Sequence, residues 1–199
     1  MVSSNLKKHF ESMFKTLVIP LGKIGIKPNH LTVLGLITAL VTAWFYSNHV
    51  NNSLMLVFAG IMILVSGLLD ALDGILARST DQVTSFGGFF DSVIDRYSDL
   101  VIISGIIIGK LIHPVIGLAA LIGSVMVSYT RSRAEAEGVS MSGVGFAERA
   151  ERMIFLSFSS IVSFFWIDAL KWGIILLTLL SNFTVIQRIL YFKKEVEKN

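Results

Sequence analysis

Between Asp70 and Asp95 the chain sets four aspartates into sequence that is otherwise suited to the inside of a membrane. The stretch reads Asp70, Asp73-Gly74, Ala77-Arg78, Gly87, Asp91 and Asp95, with strongly apolar runs from Leu54 to Leu69 before it and from Leu100 to Gly109 after it. An Asp at the centre of a transmembrane helix costs roughly 2.5–3.5 kcal/mol, so four uncompensated ones cost on the order of 10 kcal/mol. A fold that keeps them has to gather them around positive charge. The rest of the chain agrees with a membrane setting: 53% of its 199 residues are hydrophobic, and the mean hydropathy of +0.71 lies far above that of a soluble domain. A single domain over residues 1–199 is expected.

Helical spacing explains how the aspartates meet. Asp70, Asp73, Gly74, Ala77 and Arg78 stand at i, i+3, i+4, i+7 and i+8, and Gly87, Asp91 and Asp95 at i, i+4 and i+8, so each set lines one helix face. Two such faces make a cage of hard oxygen donors. With no Cys and four scattered His (His9, His30, His49, His113), the cage suits Mg²⁺, Mn²⁺ or Ca²⁺ rather than zinc or copper. Gly74 and Gly87 clear side chains from the same faces, so a flat or bulky group can approach the backbone there, although glycines also serve close helix packing. Arg78 offers a guanidinium fork for phosphate. The bland alternative is that these Asp are solvated helix-end residues paired with Arg78 and Arg96.

The pattern resembles the signature of the CDP-alcohol phosphatidyltransferase family, integral membrane enzymes that move a phosphatidyl-type group from a CDP-linked lipid to an alcohol and release CMP. Every signature position is present, and the resemblance covers nearly the whole chain. It implies a six-helix membrane core and Mg²⁺ or Mn²⁺, two ions per site, held by Asp70, Asp73, Asp91 and Asp95. Asp95 is the implied general base. Nucleotide binding falls to Asn29, Thr32, Gly74, Ala77, Arg78, Thr84 and Gly87. Asn29 and Thr32 enter through the Pro28-Asn29-His30-Leu31-Thr32 run, which is similar to an entry that lies near the nucleotide in the family; helix capping by Asn29 or His30 would explain that run equally well. The resemblance also implies a homodimer, and nucleic acid is not an expected partner.

A second constellation concerns the acceptor. Tyr129-Thr130-Arg131-Ser132-Arg133-Ala134-Glu135 is followed by a flexible Gly/Ser/Met stretch and then Glu148-Arg149-Ala150-Glu151-Arg152. Arg188 sits inside an otherwise apolar helix, a costly place for a charge. These arginines can be simple anchors at the membrane surface, with Glu partners at i+4. Beside a phosphotransfer site they suit an anion, because guanidinium forks match phosphate geometry. Within the family the two runs resemble the branch that uses inositol 1-phosphate, in which Arg131, Arg149 and Arg188 would hold the acceptor phosphate, with Arg133 and Arg152 as close substitutes. Glycerol 3-phosphate is the next acceptor, then an uncharged alcohol such as serine. An ion-coupled transporter is the reading from another class, but it would spread carboxylates through the membrane depth, and here they cluster.

The expected architecture is all-α, polytopic, with a six-helix bundle over 30–192. Spans are expected near Leu31 to Tyr46, Leu54 to Ala77, Phe86 to Gly109, Pro114 to Tyr129, Met153 to Ile167 and Ala169 to Tyr191. Residues 3–18 alternate apolar and basic positions at helical spacing, which predicts an amphipathic helix lying on the membrane surface or packed on protein. They lack the apolar core and cleavage site of a signal peptide. With the N-terminus inside, all of the 17 Lys and Arg except Lys110 and Lys171 fall on one side, so the positive-inside rule puts both termini and the aspartate cage at the cytoplasmic face of a cell membrane.

Overall fold

The computed structural model describes residues 14–16, 18–146 and 148–198, and among them there is no strand. Six helices carry the fold: α1 (Pro28–Asn48), α2 (Leu54–Ser79), α3 (Ser85–Ile108), α4 (Pro114–Ala136), α5 (Arg149–Val162) and α6 (Ala169–Val196). The expected surface helix over 3–18 lies mostly outside the described residues; positions 14–16 and 18–23 are helical.

Local chemistry sets the starts. Pro28 and Pro114 open α1 and α4 at the first helical position, where a missing N–H costs nothing. Lys27 is the cap of α1 and its N–H donates to His30 Nδ1, so Asn29 is free of a capping duty and stands inside the first turn. Thr84 caps α3, its Oγ1 accepting from Gly87 N at 3.0 Å. At α5 the Glu148 N–H donates to Glu151 Oε2 at 3.2 Å, closing a capping box four residues before the span expected from hydropathy. The same helix ends early, at Val162, where Ser163 Oγ accepts from Leu170 N and folds the Phe164–Trp166 segment into the turn.

The helices form a closed ring in the order α1, α2, α5, α6, α4, α3 and back to α1. Every member contributes to one core that includes Ala39, Tyr46, Ile63, Ile106, Ala120, Leu156 and Ile174. Small residues bring backbones close, as membrane bundles require. A Cβ on Gly60 would stand 2.8 Å from Ser157 O, and one on Gly105 would stand 2.5 Å from Ala43 Cα. Ser157 Oγ donates to Gly60 O and Ser160 Oγ to Leu56 O, which pins α5 to α2 at 2.8 and 2.7 Å. Large apolar side chains such as Trp44, Phe58, Ile122, Phe158 and Leu179 face outward, as expected when the outer solvent is hydrocarbon.

Among the described residues, four helices are long and apolar enough to cross a membrane: α1 with its 3₁₀ extension to Asn51, α2, α4 and α6. Two others fall short for different reasons. α3 has 24 residues but carries Asp91, Asp95, Arg96 and Asp99 along its length. α5 has 14 residues, about 21 Å at 1.5 Å per residue against a hydrocarbon core of about 30 Å.

Candidate active site

The aspartates converge at the end of the ring where α2 finishes and α3 begins. One carboxylate oxygen from each of Asp70, Asp91 and Asp95 lies within 4.8 Å of the other two. Asp73, 5% exposed, stands beside this triad, its Oδ2 accepting a 2.6 Å hydrogen bond from Thr32 Oγ1 of α1. Thr32 therefore orients an acidic residue.

Positive charge arrives from α5. Arg149 Nη1 is 2.8 Å from Asp70 Oδ2 and 2.9 Å from Asp95 Oδ1, inside the carboxylate cluster, and its Nε is 3.3 Å from Asp99 Oδ1. The compensation thus comes from a residue far along the chain, and the alternative of pairing with Arg78 or Arg96 is not needed to explain it. The donor set fits a divalent cation: it is all hard oxygen, a cationic nitrogen already sits among it, and Asp91 Oδ1 is buried with no hydrogen-bond partner among the described residues.

Two cavities meet at the cluster. The first, about 290 Å³, is lined by Asn29, Thr32, Asp73, Gly74, Ala77, Arg78, Thr84, Gly87 and Asp91, so it gathers all seven residues expected to bind the nucleotide. A Cβ on Gly74 would meet only the end of the Arg78 side chain, at 3.1 Å, and one on Gly87 would meet Thr84 Oγ1 and Asn29 Oδ1. Neither glycine abuts the backbone of another helix, unlike Gly60 and Gly105, so their small size opens the cavity rather than tightening the bundle.

The second cavity, about 340 Å³, is lined by Asp95, Arg96, Asp99, Ser128, Arg131, Ser132, Glu135, Glu148, Arg149, Arg152 and Arg188. Four of the five expected arginines are there. Arg133 is not: it pairs with Glu137 on the exposed side of α4 and lines a separate apolar groove with Met141, Ile189 and Phe192. Arg131 pairs with Glu135 at 2.9 Å, half exposed. Arg188, 3% exposed, donates through Nε to Val144 O at 3.0 Å and through Nη1 to Val127 O. The Gly/Ser/Met connection is accordingly tied down rather than loose: Met141 is buried, and Phe146 N donates to Thr184 Oγ1.

Sequence reasoning passed over Asp99 and Ser124. Asp99 accepts from Arg152 Nη2 at 2.8 Å and from Ser124 Oγ at 3.1 Å, as well as from Arg149. Its signal was present, because Asp99 continues the i+4 ladder of Asp91 and Asp95 on the same face of α3.

A family model described as CDP-alcohol phosphatidyltransferase matches residues 26–186. The archaetidylinositol phosphate synthase of Pyrococcus horikoshii is 41% identical over 196 residues, covering 98% of this chain and 97% of that one. Among solved structures, the Mycobacterium tuberculosis phosphatidylinositol phosphate synthase with CDP-DAG bound superposes with a TM-score of 0.79 at 29% identity, over 91% of this chain and 94% of that one. The same mycobacterial enzyme in complex with manganese and citrate gives 0.79 at 29%, over 89% and 88%.

Proposed function

The chain belongs to the CDP-alcohol phosphatidyltransferase family, and we propose that it transfers the phosphatidyl-type group of a CDP-linked lipid, with a diacylglycerol or archaeol backbone, to inositol 1-phosphate with release of CMP. The observation that carries this reading is the pair of cavities joined at one carboxylate cluster. Asp73 and Asp91 border the cavity with the nucleotide signature, and Asp95 and Arg149 border the arginine-rich one. A donor diphosphate and an acceptor phosphate would each find matching charge, with the cluster between them. Relatives named as archaetidylinositol phosphate and phosphatidylinositol phosphate synthases support the inositol phosphate acceptor. Glycerol 3-phosphate, which also carries a phosphate, is the second choice; an uncharged alcohol would make no use of an arginine-rich lining.

Asp70, Asp73, Asp91 and Asp95 would hold two Mg²⁺ or Mn²⁺ ions, whose chemistry there is to neutralise the donor diphosphate and the charge gathering on CMP. Gly74, Ala77 and Gly87 let the nucleotide lie against backbone, while Arg78 presents its fork and Asn29, Thr32 and Thr84 supply polar edges. Arg131, Arg149, Arg152 and Arg188 receive the acceptor phosphate and aim its hydroxyl at the cluster. Asp95, on the border, takes the proton of that hydroxyl as its oxygen bonds to the lipid-linked phosphorus. The bond from that phosphorus to the CMP oxygen breaks, and the electron pair leaves with CMP. Direct attack needs no covalent enzyme intermediate, so the kinetics are sequential.

The same reading gives six crossings, with the charged half of α3 sheltered inside the ring and α5 completed by the residues up to Ile167. Both termini and the site face the cytoplasm, and the enzyme works as a homodimer. Incubating the purified protein with CDP-diacylglycerol or CDP-archaeol, Mg²⁺ and inositol 1-phosphate tests the reaction. A lipid product with the mass of the inositol phosphate adduct supports it, and unchanged donor lipid rejects it.

A further inference from the structure

Five arginines line the arginine-rich cavity, and four of them are already engaged. Arg131 pairs with Glu135, Arg149 with Asp70, Asp95 and Asp99, and Arg152 with Asp99, while Arg188 donates to the carbonyls of Val127 and Val144. Arg96 differs. Its Nη1 donates to Ser92 O, one turn back on α3, and among the described residues it forms no ion pair. Arg96 is half-buried, so its charge is partly desolvated with no paired carboxylate to offset the cost. A residue that served only as a membrane-surface anchor would extend outward to the headgroups. Arg96 turns into the ring instead: Ser92, Asp95, Arg96 and Asp99 stand at i, i+3, i+4 and i+7 and line the cavity together. The bond to Ser92 O lays the guanidinium along the turn that carries Asp95.

We propose that Arg96 contacts the phosphate of the acceptor and helps to select a phosphorylated alcohol over a neutral one. The inference rests on the acceptor reading above and adds to it a residue that lies outside both arginine runs of the sequence. Three features carry it. Arg96 faces the same space as Arg131 and Arg188, in a cavity of about 340 Å³. Its one protein partner is a neutral carbonyl, so exchanging that bond for a phosphate gains charge-assisted hydrogen bonds, whereas the other four arginines share an anion with oxygens they already hold. Ser128 and Ser132 of α4 line the cavity as well and add hydroxyl donors without adding negative charge.

The test compares wild type, Arg96→Gln, Arg96→Lys and Arg133→Gln, each purified in detergent with Mg²⁺, for KM and kcat toward acceptor and donor separately, for inhibition of CMP release by inorganic phosphate, and for Tm. Arg133 lies outside the cavity and serves as the matched loss of one charge. In Arg96→Gln the acceptor KM and the inhibition constant for phosphate should each rise about tenfold or more, with donor KM within about twofold, kcat changed less than the acceptor KM, and Tm kept because no ion pair is lost. Arg96→Lys keeps the charge without the fork and should fall between Gln and wild type. Arg133→Gln should leave both KM values near wild type. An acceptor KM unchanged in Arg96→Gln, or matched by an equal rise in donor KM or in Arg133→Gln, overturns the role. Should Arg96→Gln fail to fold, Arg96→Lys decides, an unchanged acceptor KM again overturning it. If wild type prefers glycerol 3-phosphate, the split is read with that acceptor. Turnover by wild type of uncharged alcohols alone, without inhibition by phosphate, rejects the acceptor reading and the Arg96 role with it; a normal wild type beside an unaltered Arg96→Gln rejects the role alone.

Discussion

Arg149 shows how a membrane protein carries acidic residues that neither hydropathy nor spacing can explain alone. Its guanidinium bridges Asp70 and Asp95 from α2 and α3 and holds Asp99 as well, so the cost of one buried and two half-buried carboxylates is shared by one cation from 50 residues or more along the chain. The aspartates were legible from the sequence because helical periodicity places them on one face, and so were the glycines that line the cavity beside Arg78. The partner was not, because periodicity says nothing about which distant helix packs opposite. On the proposed mechanism, Asp95→Asn should lower kcat by a factor of about 10² to 10⁴ while CDP-lipid binding, followed by equilibrium titration, stays near wild type; normal turnover would remove Asp95 from its role as base. Gly74→Leu should act on the other parameter. Its side chain would fill the cavity beside Arg78 and Asp73, raising donor KM with acceptor KM little changed, and an unaltered donor KM would show that the nucleotide lies elsewhere.

At the scale of elements, apolar runs gave both ends of α1 and α2 within three residues and the starts of α4 and α6, because hydrocarbon demands such length; α4 and α6 continue past the expected Tyr129 and Tyr191 to Ala136 and Val196, on polar residues that hydropathy does not count. α3 was found through its aspartates rather than its hydropathy. α5 was misplaced at both ends: its start is set by the Glu148 and Glu151 capping box, and its end by the Ser163 to Leu170 bond. Both are polar, short-range signals that a hydrophobic window averages away. The Gly/Ser/Met connection, expected to be flexible, is held by Arg188, Thr184 and buried Met141, contacts that depend on α6 and leave no trace in local composition. Where α2 and α5 pack, Gly60→Val should lower Tm through a loss of about 1–3 kcal/mol, since its Cβ would press on Ser157 O at 2.8 Å and Ile161 Cγ1 at 2.7 Å. Gly67→Ala on the same helix is the matched control, with nothing within 4 Å of the added carbon. Equal Tm values for the two variants would contradict the tight α2–α5 contact.

For the whole molecule, the ring encloses a polar end and an apolar middle, so the site opens at one membrane face while the outer surface stays greasy. On the proposed function, the lipid-linked donor would use the cavity beside Gly74 and Arg78 and the water-soluble acceptor the arginine-rich one. Metal removal should be decisive for a cluster of this kind: EDTA should abolish turnover, and Mg²⁺ or Mn²⁺ should restore it, whereas activity that persists in EDTA would make Arg149 the resident cation of the carboxylates. The family and the carboxylate cluster could be read from the signature alone. The acceptor depends on arginines whose arrangement appears only when α4, α5 and α6 are assembled. The most direct measurement is CMP release from a CDP-lipid with Mg²⁺, comparing inositol 1-phosphate, glycerol 3-phosphate, free inositol and serine. Release that requires a phosphorylated acceptor and is fastest with inositol 1-phosphate is the predicted result, and release that is as fast with free inositol or serine would contradict it.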